Sequence, residues 1–550
     1  MHSAFTATGH IDTFARDRLP APGAMPDLLF DLPDLQFPAR LNCAVDLLDR
    51  QVALGLGPRP CIAGHEHRWN YAEVLAQANR IANVLVVQQG LVPGNRVLLR
   101  GANSPMHAAC WLAVVKAGGI AVGSMPLLRA SELRAIVDKA QISHALCDAR
   151  LADELTAAAA ACPSLQHVLL FNGEPGSTRD LAWHAARQPA TFDNADTAAD
   201  DICVMAFTSG TTGVPKATLH FHRDVMAACA CWPAHVLRAT ANDVFIGSPP
   251  LAFTFGLGGL LVFPLAIGAS TVLVEKATPD ALLAAIARFK GTVCFTAPTS
   301  YRAMALSLQA DATGQAGQGL ASLRKCVSAG EALPAATRAL WLEATGNTLI
   351  DGIGSTELFH IFISATETQA RPGATGVPVP GYVAAVVDEQ GQVLPPGQVG
   401  RLAVKGPTGC KYLDDPRQTS YVQNGWNLTG DAYLVDADGQ FVYQARTDDM
   451  IISGGYNIAG PEVEAALMLH PAVAECGVVG MPDEARGMVV KAVVVLQAGT
   501  MPGDTTARML QDFVKGTIAP YKYPRVVEFR TTLPRTETGK LQRFKLKASP

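Results

Sequence analysis

The chain has 550 residues, 49% of them hydrophobic and 17% charged, enough for about three or four domain-sized cores and too apolar for a disordered chain. Lys and Arg number 44 against 48 Asp and Glu, a net charge of -4, and that balance excludes a generally basic, non-specific nucleic-acid binder. The 49 Gly and 36 Pro follow no three-residue period, which excludes collagen, and the 12 Cys are dispersed, with only Cys229 and Cys231 close together, so neither a disulfide framework nor a paired Cys-x-x-Cys metal site is expected. The opening residues, Met1 to Asp12, lack a basic region followed by an apolar run; no secretory leader is expected, and the cysteine usage suits a reducing, cytoplasmic setting.

Residues 15–40 are rich in Pro and Asp without a sustained period, which predicts an extended surface arm. Regular structure then begins with a helix over Tyr71–Gln89 ended by Gly90, a strand at Arg96–Arg100 and a helix over Ser104–Ala117 ended by Gly118-Gly119. A strand at Ile120–Val122, a helix over Glu132–Ala140 and a strand at Ser143–Cys147 follow; this alternation predicts a parallel sheet with crossover helices. The Ala-rich run Ala157–Ala161 is a good helix former. After residue 200 the pattern resumes with a strand at Ile202–Thr208, then a helix at Pro279–Phe289, a strand at Val293–Ala297, a helix at Ala335–Thr345 and a strand at Thr348–Ile350.

Between these, Val244–Val274 has no charged side chain and imitates a membrane span, but Pro249, Pro250 and Pro264 break it. It is expected as strands and loops inside a soluble core. Residues 375–443 carry turns and the short strands Val383–Val387 and Gly400–Val404, a smaller β region, and the polar run Arg446-Thr447-Asp448-Asp449 opens a last α/β unit. Its tail, Lys515 to Lys547, is basic, with Glu528 and Glu537 as its acids: either a solvated face or one that meets an anionic metabolite.

The strongest local signal is Thr208-Ser209-Gly210-Thr211-Thr212-Gly213-Val214-Pro215-Lys216, directly after an apolar strand. Backbone N–H groups, hydroxyls and one ammonium in such a loop suit a polyphosphate. It is not a Walker A loop, because Lys216 follows Pro and precedes Ala217. Read singly, Asp431 after Gly430 would be a turn residue, Glu357 a helix-start carboxylate and His360 a core histidine.

The phosphate-type loop and five later segments, in order, resemble the signatures of the adenylate-forming superfamily: acyl-CoA synthetases, firefly luciferases and peptide-synthetase adenylation domains. The resemblance runs from the strand before Thr208 to Lys540. It implies that Lys216 and Thr208, Ser209, Gly210, Thr211, Thr212 and Gly213 face the phosphates. In Asp351-Gly352-Ile353-Gly354-Ser355-Thr356-Glu357, Thr356 would hold a phosphoryl oxygen and Glu357 the Mg2+ ion. Ile353 stands where a stacking Tyr is usual, so adenine would rest on an aliphatic face; Ala329, Gly330 and Glu331 join Asp351 and Gly352 around the nucleotide. Asp431 of Thr429-Gly430-Asp431 would accept the ribose hydroxyls, Arg446 would reach the nucleotide and Asp448 would be the pivot of the interdomain hinge. Ser453, Gly454, Gly455 and Tyr456, followed by Glu462-Val463-Glu464, resemble the loop that lines the thiol tunnel, and Pro534-Arg535-Thr536-Glu537-Thr538-Gly539-Lys540 carries the adenylation lysine, Lys540.

Gly354-Ser355-Thr356-Glu357-Leu358-Phe359-His360-Ile361-Phe362 and His220-Phe221-His222-Arg223-Asp224 are most like the benzoate-CoA and 2-aminobenzoate-CoA ligase group. The acyl pocket implied is Phe253, Thr254, Phe255, Ala297, Ser328, Gly352, His360 and Ile361; bulky Phe255 and His360 would favour a flat ring over a long tail. The fold implied is α/β: a large N-terminal domain (1–445) of αβα-layered sheets with a small β subdomain, a hinge at 446–448, and a small mobile α+β C-terminal domain (449–550). The activity implied is an aryl-CoA ligase that joins an aromatic acid (2-aminobenzoate or benzoate) to AMP and then to coenzyme A, using ATP, Mg2+ and CoA. A medium-chain fatty acyl-CoA ligase and a stand-alone adenylation enzyme loading a carrier protein are the alternatives. No nucleic-acid or membrane partner is expected, and a homodimer is left open.

Overall fold

A computed structural model describes residues 5–208, 215–310, 319–453, 456–483, 487–518, 520–535 and 541–547. Ser209, Gly210, Thr211, Thr212, Gly213, Gly454, Gly455 and Lys540 therefore lie outside the described residues. Among the described residues four sheets form. The first is six-stranded, in the order His167–Phe171, His144–Asp148, Arg96–Arg100, Ile120–Ser124, Ile202–Thr208 and Lys216–Phe221. It is parallel throughout except for its last pair. The second is nine-stranded: Val377–Pro378, Ile361–Ser364, Leu349–Gly354, Lys325–Ala329, Val293–Thr296, Val244–Gly247, Ser270–Leu273, Pro60–Ala63 and Arg68–Asn70.

The alternation of apolar strands with helices builds these layers as the sequence predicts. Helix Tyr71–Asn83 starts at a reciprocal cap, Asn70 accepting from Glu73 N and Glu73 accepting from Asn70 N, which satisfies two otherwise orphaned donors. Helix Pro105–Lys116 is buried at every residue, as befits a helix covered on all sides. Lys116 survives there because its ammonium pairs with Asp49.

The arm before residue 20 is tied down rather than loose. Thr6 N and Gly9 N donate to Asp200 and Asp201, Arg16 Nη1 meets Asp201 Oδ1 at 2.8 Å, and Arg96 pairs with Asp12. The apolar stretch differs from expectation. Val244–Gly247 and Ser270–Leu273 are strands, but residues 254–266 form a continuous helical run, with a wider turn at Gly258–Val262. Pro264 does not break this run, because it follows the wider turn as the second residue of Phe263–Ala266. No helix among the described residues is long and apolar enough to cross a membrane.

The third sheet is antiparallel, from Val383–Val387, Gly400–Lys405, Trp426–Val435 and Val422–Gln423, with Phe441–Arg446 on Trp426–Val435. The fourth gathers Tyr456–Ile458, Ile451–Ser453, Gly487–Leu496, Val473–Asp483 and Val526–Phe529, packed by helices Gly460–Met468 and Asp504–Thr517 around its own core of Val463, Val478, Val490 and Leu510. The chain thus has a large N-terminal part of several sheets and a smaller C-terminal α+β unit.

The basic tail is mostly internally neutralised. Lys522 reaches Glu462 at 2.5 Å, Arg543 reaches Glu464 at 2.8 Å, Lys547 reaches Asp449 at 3.1 Å, and Arg535 pairs with Glu475. These cations hold the small domain's own acids.

Candidate active site

The two strands that flank the Gly/Thr loop pair antiparallel, with Thr208 opposite Lys216, so both ends of the loop are pinned. Residues 411–413 extend this edge: Leu219 N donates to Lys411 O and Leu413 N to Ala217 O. That pairing delivers Tyr412 to the site. Its hydroxyl donates to Glu357 Oε1 at 2.6 Å and accepts from Lys216 Nζ at 3.3 Å. Lys216, Tyr412 and Glu357 therefore form one chain of polar contacts beside the loop, and Glu357 is buried at its end. Burial, then the Glu357 charge, drives the Tyr412 hydroxyl far above the usual range, keeping it a donor.

Thr356 and Glu357 sit in a tight turn between the strands Leu349–Gly354 and Ile361–Ser364, not at a helix start. Leu358 N donates to Ser355 Oγ, Phe359 N to Thr356 O, and Thr408 Oγ1 to Leu358 O at 2.7 Å. Phe359 takes φ 71°, a left-handed backbone that a bulky residue adopts only under external constraint.

The residues expected at the nucleotide come from two directions. Ser328 lies opposite Asp351 and Ala329 opposite Gly352, at the C-terminal ends of parallel strands, the end where open α/β sheets bind ligands. Gly330 and Glu331 follow at once, and Ile353 is half-buried. Burial pushes the Asp351 carboxyl up to about 7, with Arg338 pulling it back only in part. From the third sheet, Asp431 lies opposite Arg446, and Arg446 Nη1 donates to Asp431 Oδ1 at 3.2 Å and Thr429 O at 3.1 Å. Asp431 sits in a strand rather than a plain turn, although Gly430 before it has φ 77°. Burial raises the Asp431 carboxyl, Arg446 opposes that, and the Glu357 charge adds a little to it.

His360 anchors the predicted acyl residues. Its buried ring lies 4.5 Å from Phe263, 5.4 Å from Phe255, 5.6 Å from Trp232 and 6.4 Å from Phe295, centroid to centroid. Neither His360 ring nitrogen has a partner in hydrogen-bonding geometry, nor does Trp232 Nε1. Burial lowers the His360 imidazole to about 3, with the Phe255 backbone offsetting only part, so the ring is neutral. Thr254 is buried at the first turn of the helical run, while Phe253, Phe255 and Ala297 are half-buried. Ile361 is buried against Gly352, and Ser328 Oγ is buried without a partner. Beneath Phe253 and Thr254 a small closed cavity is lined by His107, Trp111, Gly123 and Leu251.

In the C-terminal unit, Ser453 is buried in its strand, and the backbone places Tyr456 in the neighbouring one. Asp448 lies in the turn Thr447–Asp449, where Thr447 Oγ1 donates to Gly430 O at 2.7 Å. Of the residues that flank 536–540, Arg535 bridges to Leu541 and Gln542 N donates to Pro534 O. Sequence reading missed Tyr412, Trp232, Phe263 and Phe295. Only the long-range pairing of the edge at 411–413 and the convergence of three distant aromatics reveal them.

The Lys216–Tyr412–Glu357 chain beside the Gly/Thr segment and the Asp431–Arg446 pair, carried on layered α/β sheets with a small C-terminal unit, suit a nucleotide-dependent acid-activating enzyme. The chain belongs to the AMP-binding enzyme family, whose model matches residues 49–412, and the model of the AMP-binding enzyme C-terminal domain matches residues 462–540. It is 34% identical over 521 residues to a benzoate–CoA ligase of Thauera aromatica, covering 94% of this chain and 98% of that protein. It is 32% identical to a 4-hydroxybenzoate–CoA/benzoate–CoA ligase of Rhodopseudomonas palustris, covering 92% and 94%. Among solved structures, an anthranilate CoA ligase, AuaEII, in complex with anthranoyl-AMP superposes with a TM-score of 0.87 at 36% identity, covering 94% of this chain and 98% of that one. The chain is an ATP-dependent, AMP-forming CoA ligase, and its co-reactants are ATP, Mg2+ and coenzyme A.

Proposed function

We propose that the acid is aromatic, 2-aminobenzoate or benzoate, and that 2-aminobenzoate is preferred. The observation that carries this reading is the His360 cage: four aromatic side chains pack round the imidazole, bulk that favours a flat ring over a long acyl tail. The benzoate and anthranilate ligases that resemble the chain support it. A carboxylate makes a poor acyl donor because oxide would have to leave. Its oxygen therefore attacks the α-phosphorus of ATP, the bond to pyrophosphate breaks, and a mixed anhydride forms. The CoA thiol then attacks the acyl carbon and AMP leaves.

In this reading Lys216 draws the phosphates in, and Lys540 steadies charge as the carboxylate attacks. Asp431 accepts both ribose hydroxyls, and Arg446, already on Asp431, lies beside them. The buried Glu357 carboxylate fits Mg2+, which takes one or two carboxylates plus substrate phosphates; bound there, the ion would neutralise phosphate charge. Tyr412 orients Glu357 for that task. The small domain then turns about Asp448, withdraws Lys540, and brings Ser453 through Tyr456 to the thiol path, so one pocket serves both steps.

The test is kcat/KM for CoA-dependent turnover of 2-aminobenzoate and benzoate, in the native enzyme and in Thr254→Ala. A preference for 2-aminobenzoate of about tenfold, worth about 1.4 kcal/mol of transition-state binding, that shrinks in Thr254→Ala bears the reading out. Equal use of both acids contradicts the ortho preference, and turnover of neither contradicts the aromatic assignment.

A further inference from the structure

Behind the Thr356–Glu357 turn lies a layer of buried polar groups that the nucleotide and acid sites do not use. His220, on the strand Lys216–Phe221, is wholly buried, and its Nε2 lies 2.8 Å from Thr356 O. A carbonyl only accepts, so Nε2 carries the proton. The same ring packs edge-on against Phe359, with centroids 5.1 Å apart. Asp224, equally buried, lies 3.8 Å from His220 Nδ1, accepts from Phe221 N at 3.0 Å and pairs with Lys411 Nζ at 2.9 Å. Burial pushes the Asp224 carboxyl up, but the Lys411 charge outweighs it and holds it at about 2. Burial lowers His220 too and keeps its ring neutral.

Lys411 directly precedes Tyr412, so one short segment anchors Asp224 and, one residue on, orients Glu357. Buried charges are costly unless paired, and these converge on the turn in which Phe359 is held at φ 71°. We propose that His220 is a positioning residue for adenylation: its Nε2–H grips the Thr356 carbonyl and holds the constrained turn so that Thr356 and Glu357 face the nucleotide. The Lys411–Asp224 pair lies beside the unprotonated Nδ1 without a hydrogen bond to it, so the ring is held by Thr356 O and by its packing on Phe359. This rests on the reading of Thr356 and Glu357 as phosphate and magnesium contacts.

The experiment is acid-dependent exchange of pyrophosphate into ATP by the full chain carrying His220→Leu, His220→Gln or Glu357→Gln, with thermal unfolding of each. His220→Leu is expected to lose about tenfold or more in kcat/KM for MgATP while KM for the acid stays within about twofold, the scale of one lost buried hydrogen bond. His220→Gln, whose amide can reach the same carbonyl, restores most of the rate. A folded His220→Leu with native MgATP kinetics, a Gln variant no better than Leu, or an equal rise in KM for the acid overturns the role. If His220→Leu does not fold, His220→Gln decides alone: a rate within about threefold of native supports the donor, and a tenfold loss in folded protein overturns it. Loss of exchange in Glu357→Gln beside native rates in His220→Leu sinks the positioning role alone. Native exchange in Glu357→Gln sinks the reading of the site, and the positioning role with it.

Discussion

Lys216, Tyr412 and Glu357 show how a cation and an anion share one site without collapsing onto each other: the tyrosine hydroxyl stands between them, accepting from one and donating to the other. Tyr412→Phe removes both contacts and little volume. Pyrophosphate exchange should fall about tenfold with the fold intact, since hydrogen bonds to charged groups are worth about 1.5–3 kcal/mol; an unchanged rate would show that Glu357 needs no such orientation. His360 makes a separate prediction. Its folded pKa, about 3, lies below the ordinary histidine value of 6.5, so its contribution to stability is full above pH 6.5 and is lost as pH falls toward 3. His360→Phe removes that proton uptake. In denaturant titrations at pH 6.5, 5.5 and 4.5 the native protein should lose stability relative to the variant, by up to about 1.4 kcal/mol per pH unit. Parallel pH profiles would mean that the ring is not buried neutral.

The elements explain why some of this could be read in advance. Strand–helix alternation from Tyr71 to Asp148 carries its period in the chain, and the segment Leu349–Glu357 carries its chemistry in adjacent residues, so both were legible. The run 254–266 was misread as strands and loops because Gly256, Gly258, Gly259 and Pro264 mark turns in most contexts. Here Gly258 serves contact instead: a Cβ on it would lie 2.6 Å from His360 Cδ2. Trp232, Phe263 and Phe295 close on His360 only after three separate elements dock, and no spacing announces that. Gly258→Ala should therefore push the imidazole, raising KM for the acid about tenfold while KM for MgATP holds, a cost in the overpacking range of 1–3 kcal/mol. Equal changes in both constants would place Gly258 in general packing rather than at the acid site.

At the scale of the whole molecule, residues far apart in the chain divide the work. In the proposed function the two large sheets would supply the phosphate edge and the acid cage, the antiparallel sheet Asp431 and Arg446, and the small unit the segment that ends at Lys540. Thr447 Oγ1 donates to Gly430 O, which ties the proposed hinge to the strand that carries Asp431. The order of the motifs suggests this division of labour, whereas the internal pairing of the basic tail needed the fold, because its partners Glu462, Glu464 and Glu475 come from elsewhere in the small domain.

The measurement that tests the account most directly is AMP release from MgATP with 2-aminobenzoate, benzoate, 2-hydroxybenzoate, 4-hydroxybenzoate or octanoate, each with and without CoA, with products identified by mass. The account predicts sustained AMP release and an aryl-CoA product only when an aromatic acid and CoA are both present, with 2-aminobenzoate leading. Faster turnover of octanoate would contradict the aromatic cage, and aryl-adenylate that forms but never passes to CoA would contradict CoA as the acceptor.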